Sequence, residues 1–325
     1  MHPAFSVIFL TTFIGVGQGL FLALFTSESY AAVKLLPLQS HQFYAMGSAV
    51  SLIFLGLGLL ASFFHLGHPE RAWRAAAMWR TSWLSREVIV LPIVMGLVFV
   101  YGMSHFYGWE LKTFGLKTPV QGDLTLLVGA LGTVATFGLF VCTGMIYACI
   151  RFLQEWANPL TVINYILLGG ASGFVLATAL ASIMAPALVQ FFGVWSIIIT
   201  ALAFVFRLAS LIRNAGLRSK SSVQSAIGVS HNKIVQKSPG MMGGSFNTRE
   251  YFHGAPMWLF RSVKWIFLLL VFPLPIMLIS IGMAQASTLL LMLAFVVQYL
   301  GLIPERWFFF AQANHPQNIY YQTIG

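Results

Sequence analysis

Between residues 63 and 88 the chain reads FFHLGHPERAWRAAAMWRTSWLSREV, which sets two His, two Glu, four Arg and three Trp between apolar runs. His65 stands where the first run ends and Glu87 where the next begins, with Arg86 beside it. An imidazole titrates near neutral pH, and a carboxylate in apolar surroundings can hold or release a proton. The pair therefore suits proton transfer to or from a reducible ligand in the membrane. A plainer reading stands beside it, in which Glu87 pairs with Arg86 or Arg71 and His65 caps a helix end. Arg71, Arg74, Arg80 and Arg86 alternate with Trp73, Trp79 and Trp83, and His68 opens the polar part of the loop. Trp settles at headgroup level and Arg collects on the cytoplasmic side. Both are also enriched at the centres of protein interfaces, so the loop reads as topology and as docking surface together.

Further candidates lie inside apolar runs. Gln18 could donate to a carbonyl ligand or to a neighbouring helix, and Asn164 and Tyr165 read in the same two ways. His41 and His105 could meet at the opposite face, where a haem would need two axial His at matching depth; both sit at span ends, and no haem is expected. With two cysteines the chain has no array for an iron–sulfur cluster, and it lacks a zinc pattern and a phosphate loop. Cys142 and Cys149 are seven residues apart on one helix, too far to bridge. No catalytic group and no metal site is assigned, so redox chemistry would have to come from partners.

The elements that hold these residues follow from composition. Only 8% of 325 residues are charged and 58% are hydrophobic, against roughly 25% charged in soluble domains. Runs of about 20 apolar residues span a bilayer. Eight are expected, at 4–25, 43–64, 87–106, 123–151, 160–184, 187–211, 257–283 and 287–310. The first has no basic segment ahead of it and reads as a retained helix. The fold expected is an all-α polytopic membrane protein, one integral domain over residues 1–325. Ser85-Arg86-Glu87 and Thr248-Arg249-Glu250 echo each other before the third and seventh spans, as two four-helix halves would. The glycines of 15-GVGQG-19, 56-GLG-58 and 169-GGASG-173 read as close helix packing.

Charge orients the bundle. Fifteen of the 18 Lys and Arg fall on the side holding both termini, while only Lys34, Lys112 and Lys117 fall opposite. Both termini are therefore expected in the cytoplasm, with the protein in a bacterial cytoplasmic membrane. Residues 213–256 form the one long polar segment, with a flexible composition that also holds Met241, Met242, Phe246, Tyr251 and Phe252. The basic balance does not point to nucleic acid, because the cations flank apolar spans and no nucleic-acid-binding element is present.

Three stretches, 1-MHPAFSVIFLTTFIGVGQGLFLAL-24, 65-HLGHPERAWRA-75 with 82-SWLSREV-88, and 245-SFNTREYFHG-254, resemble the DmsC-type membrane anchors of complex iron–sulfur molybdoenzymes. The likeness runs over nearly the whole chain and leans towards the anchors of sulfite dehydrogenases. The resemblance implies eight spans and two partners, a four-cluster ferredoxin-like iron–sulfur subunit and a molybdopterin catalytic subunit. It also implies exchange of electrons with menaquinone or ubiquinone. Molybdopterin and iron–sulfur clusters would sit only in the partners. The family's quinone pocket falls on His65 and Glu87, with Arg86 and Gln18 near it. Docking would fall on His68, Arg71, Trp73, Arg74, Trp79, Arg80, Trp83 and Arg249. A cytoplasmic docking face suits sulfite oxidation inside the cell. The rivals are a quinol-oxidising reductase of dimethyl sulfoxide, thiosulfate or polysulfide, and a membrane transporter, for which the 169–173 stretch would be an interrupted binding helix.

Overall fold

A computed structural model describes residues 4–109, 123–218, 222–231, 233–235 and 257–313. The long helices are α1 (Phe5–Ala32), α2 (His41–Phe63), α3 (Trp83–Tyr107), α4 (Asp123–Ala148), α5 (Pro159–Met184) and α6 (Val189–Ala215). A short α7 (Val223–Ile227) follows, then α8 (Met257–Val271), α9 (Pro273–Ala284) and α10 (Thr288–Ala311). Eight spans are long and apolar enough to cross a membrane, with α8 and α9 together forming the seventh. The expected eight-span all-α architecture stands. No strand occurs among the described residues.

The ends of the helices follow their sequence. Ser40, Ser82 and Ser287 accept the backbone N–H of Phe43, Ser85 and Leu290, which satisfies one free donor at each helix start. Gly108 closes α3 at φ +64°, a left-handed conformation that glycine adopts without strain. The seventh span is not continuous as expected. It breaks at Phe272 because Pro273 has no N–H to continue the ladder. Helix α1 runs two turns further than expected, which places Glu28 inside it.

Helix α1 is the centre of the bundle, with 78% of its apolar window buried. It meets α5 backbone to backbone. A Cβ on Gly173 would lie 2.0 Å from the Gly19 carbonyl carbon, and one on Gly19 would lie 2.1 Å from the Gly169 oxygen. Lipid gives no hydrophobic drive between helices, so this close approach supplies the packing. The expectation for the glycine stretches holds for both of these helices, and α5 runs unbroken through residues 169–173. That stretch is a packing surface and not an interrupted transport helix.

The helices alternate in direction. Ile8 of α1, Leu153 and Trp156 of the α4–α5 connection, and Phe309 and Phe310 of α10 share one apolar cluster at the face of the N-terminus. The end of α1 and start of α4 meet at the opposite face through Glu28 and Thr125.

Two cations counted on the side of the termini prove to be inside the bundle. Arg207 belongs to α6 and Arg306 to α10, 1% and 4% exposed. Removing them from the fifteen leaves thirteen against three, so the asymmetry survives. Of the long polar segment, α7 is ordered by a capping box at Ser222 and Ser225. Arg249, the five apolar residues of that segment and the second member of the Ser/Thr-Arg-Glu echo lie outside the described residues.

Candidate functional site

The α2–α3 connection is built as a shelf. Pro69 starts a 3-10 turn over Pro69–Met78, its fixed φ being suited to a first helical position. Each arginine then covers the ring next to it: Arg74 lies 5.6 Å over Trp73, Arg80 5.3 Å over Trp79 and Arg86 4.2 Å over Trp83. Arg86 also donates to the carbonyls of Trp79 (2.9 Å) and Arg80 (2.8 Å), tying the loop to the start of α3. Its partners are thus the loop and its tryptophan, while Glu87 bonds elsewhere. His68, Glu70 and Arg71 form an exposed chain, with Glu70 Oε1 at 3.1 Å from His68 Nδ1 and 3.6 Å from Arg71 Nε. Trp73 and Trp79 remain exposed on the same connection.

His65 sits in the turn just after α2 and is exposed. Partial desolvation of its ring lowers its pKa, and a backbone hydrogen bond at Ala61 acts in the opposite sense. The lowered pKa favours the neutral ring at pH 7. Glu87 lies one turn inside α3 and is 7% exposed. Its Oε1 accepts a 2.5 Å hydrogen bond from the Thr143 hydroxyl of α4. Among the described residues, no hydrogen bond or ion pair joins His65 to Glu87. The two stand at successive depths from the same face.

Behind Thr143 is a small cavity between α1, α4, α5 and α10. Thr11, Thr12, Gln18, Thr143, Tyr165, Ser172 and Arg306 supply its polar wall, and Ile14, Phe140, Leu168 and Leu302 its apolar one. It has room for one or two waters. Gln18 lines it and also donates to the Thr136 carbonyl at 3.1 Å, so the neighbouring-helix reading of that residue is realised as well.

A charged group without a counterpart among the sequence-level candidates adjoins this cavity. Glu305 Oε1 lies 2.8 Å from Arg207 Nε, and its Oε2 lies 3.1 Å from Arg306 Nε. All three are buried, and the Arg306 guanidinium lies 4.0 Å over the Tyr165 ring. Arg207 in turn lies 5.4 Å from the centre of the Phe267 ring. The signal is present in the sequence: Glu305-Arg306 and Arg207 interrupt otherwise apolar spans. Ionisable groups inside such spans are costly and tend to mark function.

The opposite face carries a second carboxylate absent from the sequence-level candidates. Glu28 accepts from the Tyr101 hydroxyl at 2.6 Å and the Thr125 hydroxyl at 2.5 Å, with His105 Nε2 at 3.3 Å. His105 Nδ1 lies 3.3 Å from His41 Nδ1. The two histidines do meet, but both nitrogens of His105 face protein groups, which leaves neither for an axial bond to iron. Among the described residues no group of three or more His, Cys, Asp or Glu could hold a metal ion.

Eight apolar spans, a cation-rich shelf with bare tryptophans and a buried carboxylate above it define a multi-pass anchor. The family model "DMSO reductase anchor subunit (DmsC)" matches residues 1–311, and the chain belongs to that family. It is 58% identical over 325 residues, the full length of both chains, to a sulfite dehydrogenase subunit from Allochromatium vinosum.

Proposed function

We propose that this chain is the quinone-reactive membrane anchor of a molybdopterin and iron–sulfur oxidoreductase, serving sulfite oxidation at the cytoplasmic face of a bacterial membrane. The observation that carries the reading is Glu87, a buried carboxylate with one hydroxyl donor, set between the docking shelf and a polar cavity. Family membership and the 58% identity to a subunit of a sulfite dehydrogenase support the choice of partners and substrate.

Sulfite and water give sulfate, two protons and two electrons. The electrons pass through the partner's iron–sulfur clusters to the quinone, which takes up two protons and becomes quinol. Neutral His65, at the water interface, hands protons inward; Glu87 holds them at membrane depth. Gln18 offers its amide to a quinone oxygen, and Arg86 fixes the loop that brings the partner within reach. The shelf of His68, Arg71, Trp73, Arg74, Trp79, Arg80 and Trp83 docks the iron–sulfur subunit, with Arg249 contributing from the long polar segment. Menaquinone and ubiquinone both fit this chemistry.

In the assembled complex, His65→Ala and Glu87→Gln should each lower quinone-linked sulfite oxidation by about 100-fold or more, the scale of a lost proton-transfer group. Turnover with an artificial acceptor, which bypasses the anchor, should persist. Undiminished quinone-linked turnover in both variants would overturn the site. A reverse reading, quinol oxidation feeding a reductase, is favoured by the family's description as a dimethyl sulfoxide reductase anchor. Substrate assays on the co-purified molybdenum subunit separate the two directions.

A further inference from the structure

The quinone reading leaves Tyr165, Arg306, Glu305 and Arg207 without a task, yet three of them are charged side chains buried within apolar spans. Placing charge at membrane depth is costly even when paired. Among the described residues the pairing is incomplete, since two guanidinium groups share one carboxylate and leave a net positive charge. That excess faces a defined space. Arg306 and Tyr165 line the same cavity as Gln18 and Thr143, so one wall is cationic while the other leads through Thr143 to Glu87. The Tyr165 hydroxyl is buried on the wall of this cavity, beside the Arg306 guanidinium and the Tyr147 hydroxyl. A guanidinium and a hydroxyl together on one wall of a polar cavity suit an oxygen acceptor there. Other hydroxyls on the wall are already used: Thr11, Thr12 and Ser172 donate to carbonyls of their own helices.

We propose that this cavity is the seat of one oxygen of the quinone head group, with Arg306 and Tyr165 as its donors. The proposal rests on the quinone reading and extends the site from α1, α3 and α4 to α5 and α10. The space holds one or two waters, so what enters it is a carbonyl oxygen, which displaces water. Negative charge builds on that oxygen as electrons arrive. The surplus cation, kept dry and fixed by Glu305 and the Tyr165 ring, stabilises that charge at the place where it develops. Glu87, reached through Thr143, then stands on the proton side of the same ring.

An azido-substituted short-chain quinone tests this on the complete complex without altering it. Photolysis should label peptides of α5 or α10 containing Tyr165 or Arg306, and excess unmodified quinone should suppress the label. Saturable label confined to residues 41–107 would overturn the seat while leaving the quinone reading intact. Absence of saturable label and of quinone-linked turnover would defeat the quinone reading itself. Two variants add a second readout. Tyr165→Phe should raise KM for quinone about tenfold, the scale of one lost donor, with little change in artificial-acceptor turnover. Arg306→Lys should lower kcat more than it raises KM, because the charge stays but the planar donor fork is lost. Wild-type KM and kcat in both would remove these residues from the site.

Discussion

Helix α4 carries a threonine near each end, and each donates at 2.5 Å to a carboxylate of another helix: Thr125 to half-buried Glu28 and Thr143 to buried Glu87. The two acids differ in everything around that bond. Glu28 has donors on both oxygens from α3 and α4, and a chain through His105 to exposed His41 connects it to water. Each of its oxygens accepts a hydroxyl, and it fastens α1, α3 and α4 together at the face away from the shelf. Glu87 has the single Thr143 bond and lies beside a polar cavity whose far wall holds the Arg207–Glu305–Arg306 group. An acid with a donor on each oxygen behaves as a clamp. A buried acid left short of donors next to an open polar space is free to change its partner or its proton.

The largest effect should come from the pairing that keeps the second region folded. Glu305→Ala leaves two guanidinium groups buried without a carboxylate, which costs about 3–5 kcal/mol. Loss of assembled complex, or a much lower thermal midpoint in detergent, is the expected outcome. A stable complex with ordinary quinone turnover would mean that the group neither holds the fold nor serves the cavity. Next in size is the clamp. Tyr101→Phe removes a hydroxyl from the Glu28 carboxylate and should cost about 2 kcal/mol, the value of a hydrogen bond to a charged group. Quinone-linked turnover per assembled complex should stay unchanged. A large loss of turnover here would erase the distinction between the two carboxylates.

The same contrast separates what the sequence revealed from what it did not. The spans were legible because each is a long apolar run, and the shelf because charge and tryptophan cluster between two of them. Glu87 was legible as an acid at the start of a span. The cavity was not, because it forms only where four helices meet, and no local pattern states that Thr143, Tyr165 and Arg306 share a wall. Arg207 and Arg306 fall inside the expected spans 187–211 and 287–310, yet close enough to their ends to be counted with the flanking cations, where arginine is ordinary. Glu28 is lost to a helix boundary drawn too early at Phe25, although α1 runs to Ala32. Boundaries are the weakest part of such a reading, and here one of them hid Glu28.

The finest test exchanges the two threonines for valine, which keeps their shape and removes the hydroxyl. In Thr125→Val the Glu28 carboxylate keeps Tyr101 and His105, so the cost should be about 1 kcal/mol of stability with no effect on quinone chemistry. In Thr143→Val the carboxylate of Glu87 loses its one hydrogen bond among the described residues, and with it the link between the cavity and the proton it holds. Stability should fall by a similar amount, but quinone-linked turnover should drop about tenfold, since about 1.4 kcal/mol of lost transition-state stabilisation is one factor of ten. Thermal midpoints and quinone-linked rates measured on both complexes decide it. Equal rates in the two variants would show that the position of the carboxylate, and not its scarcity of donors, sets the two regions apart.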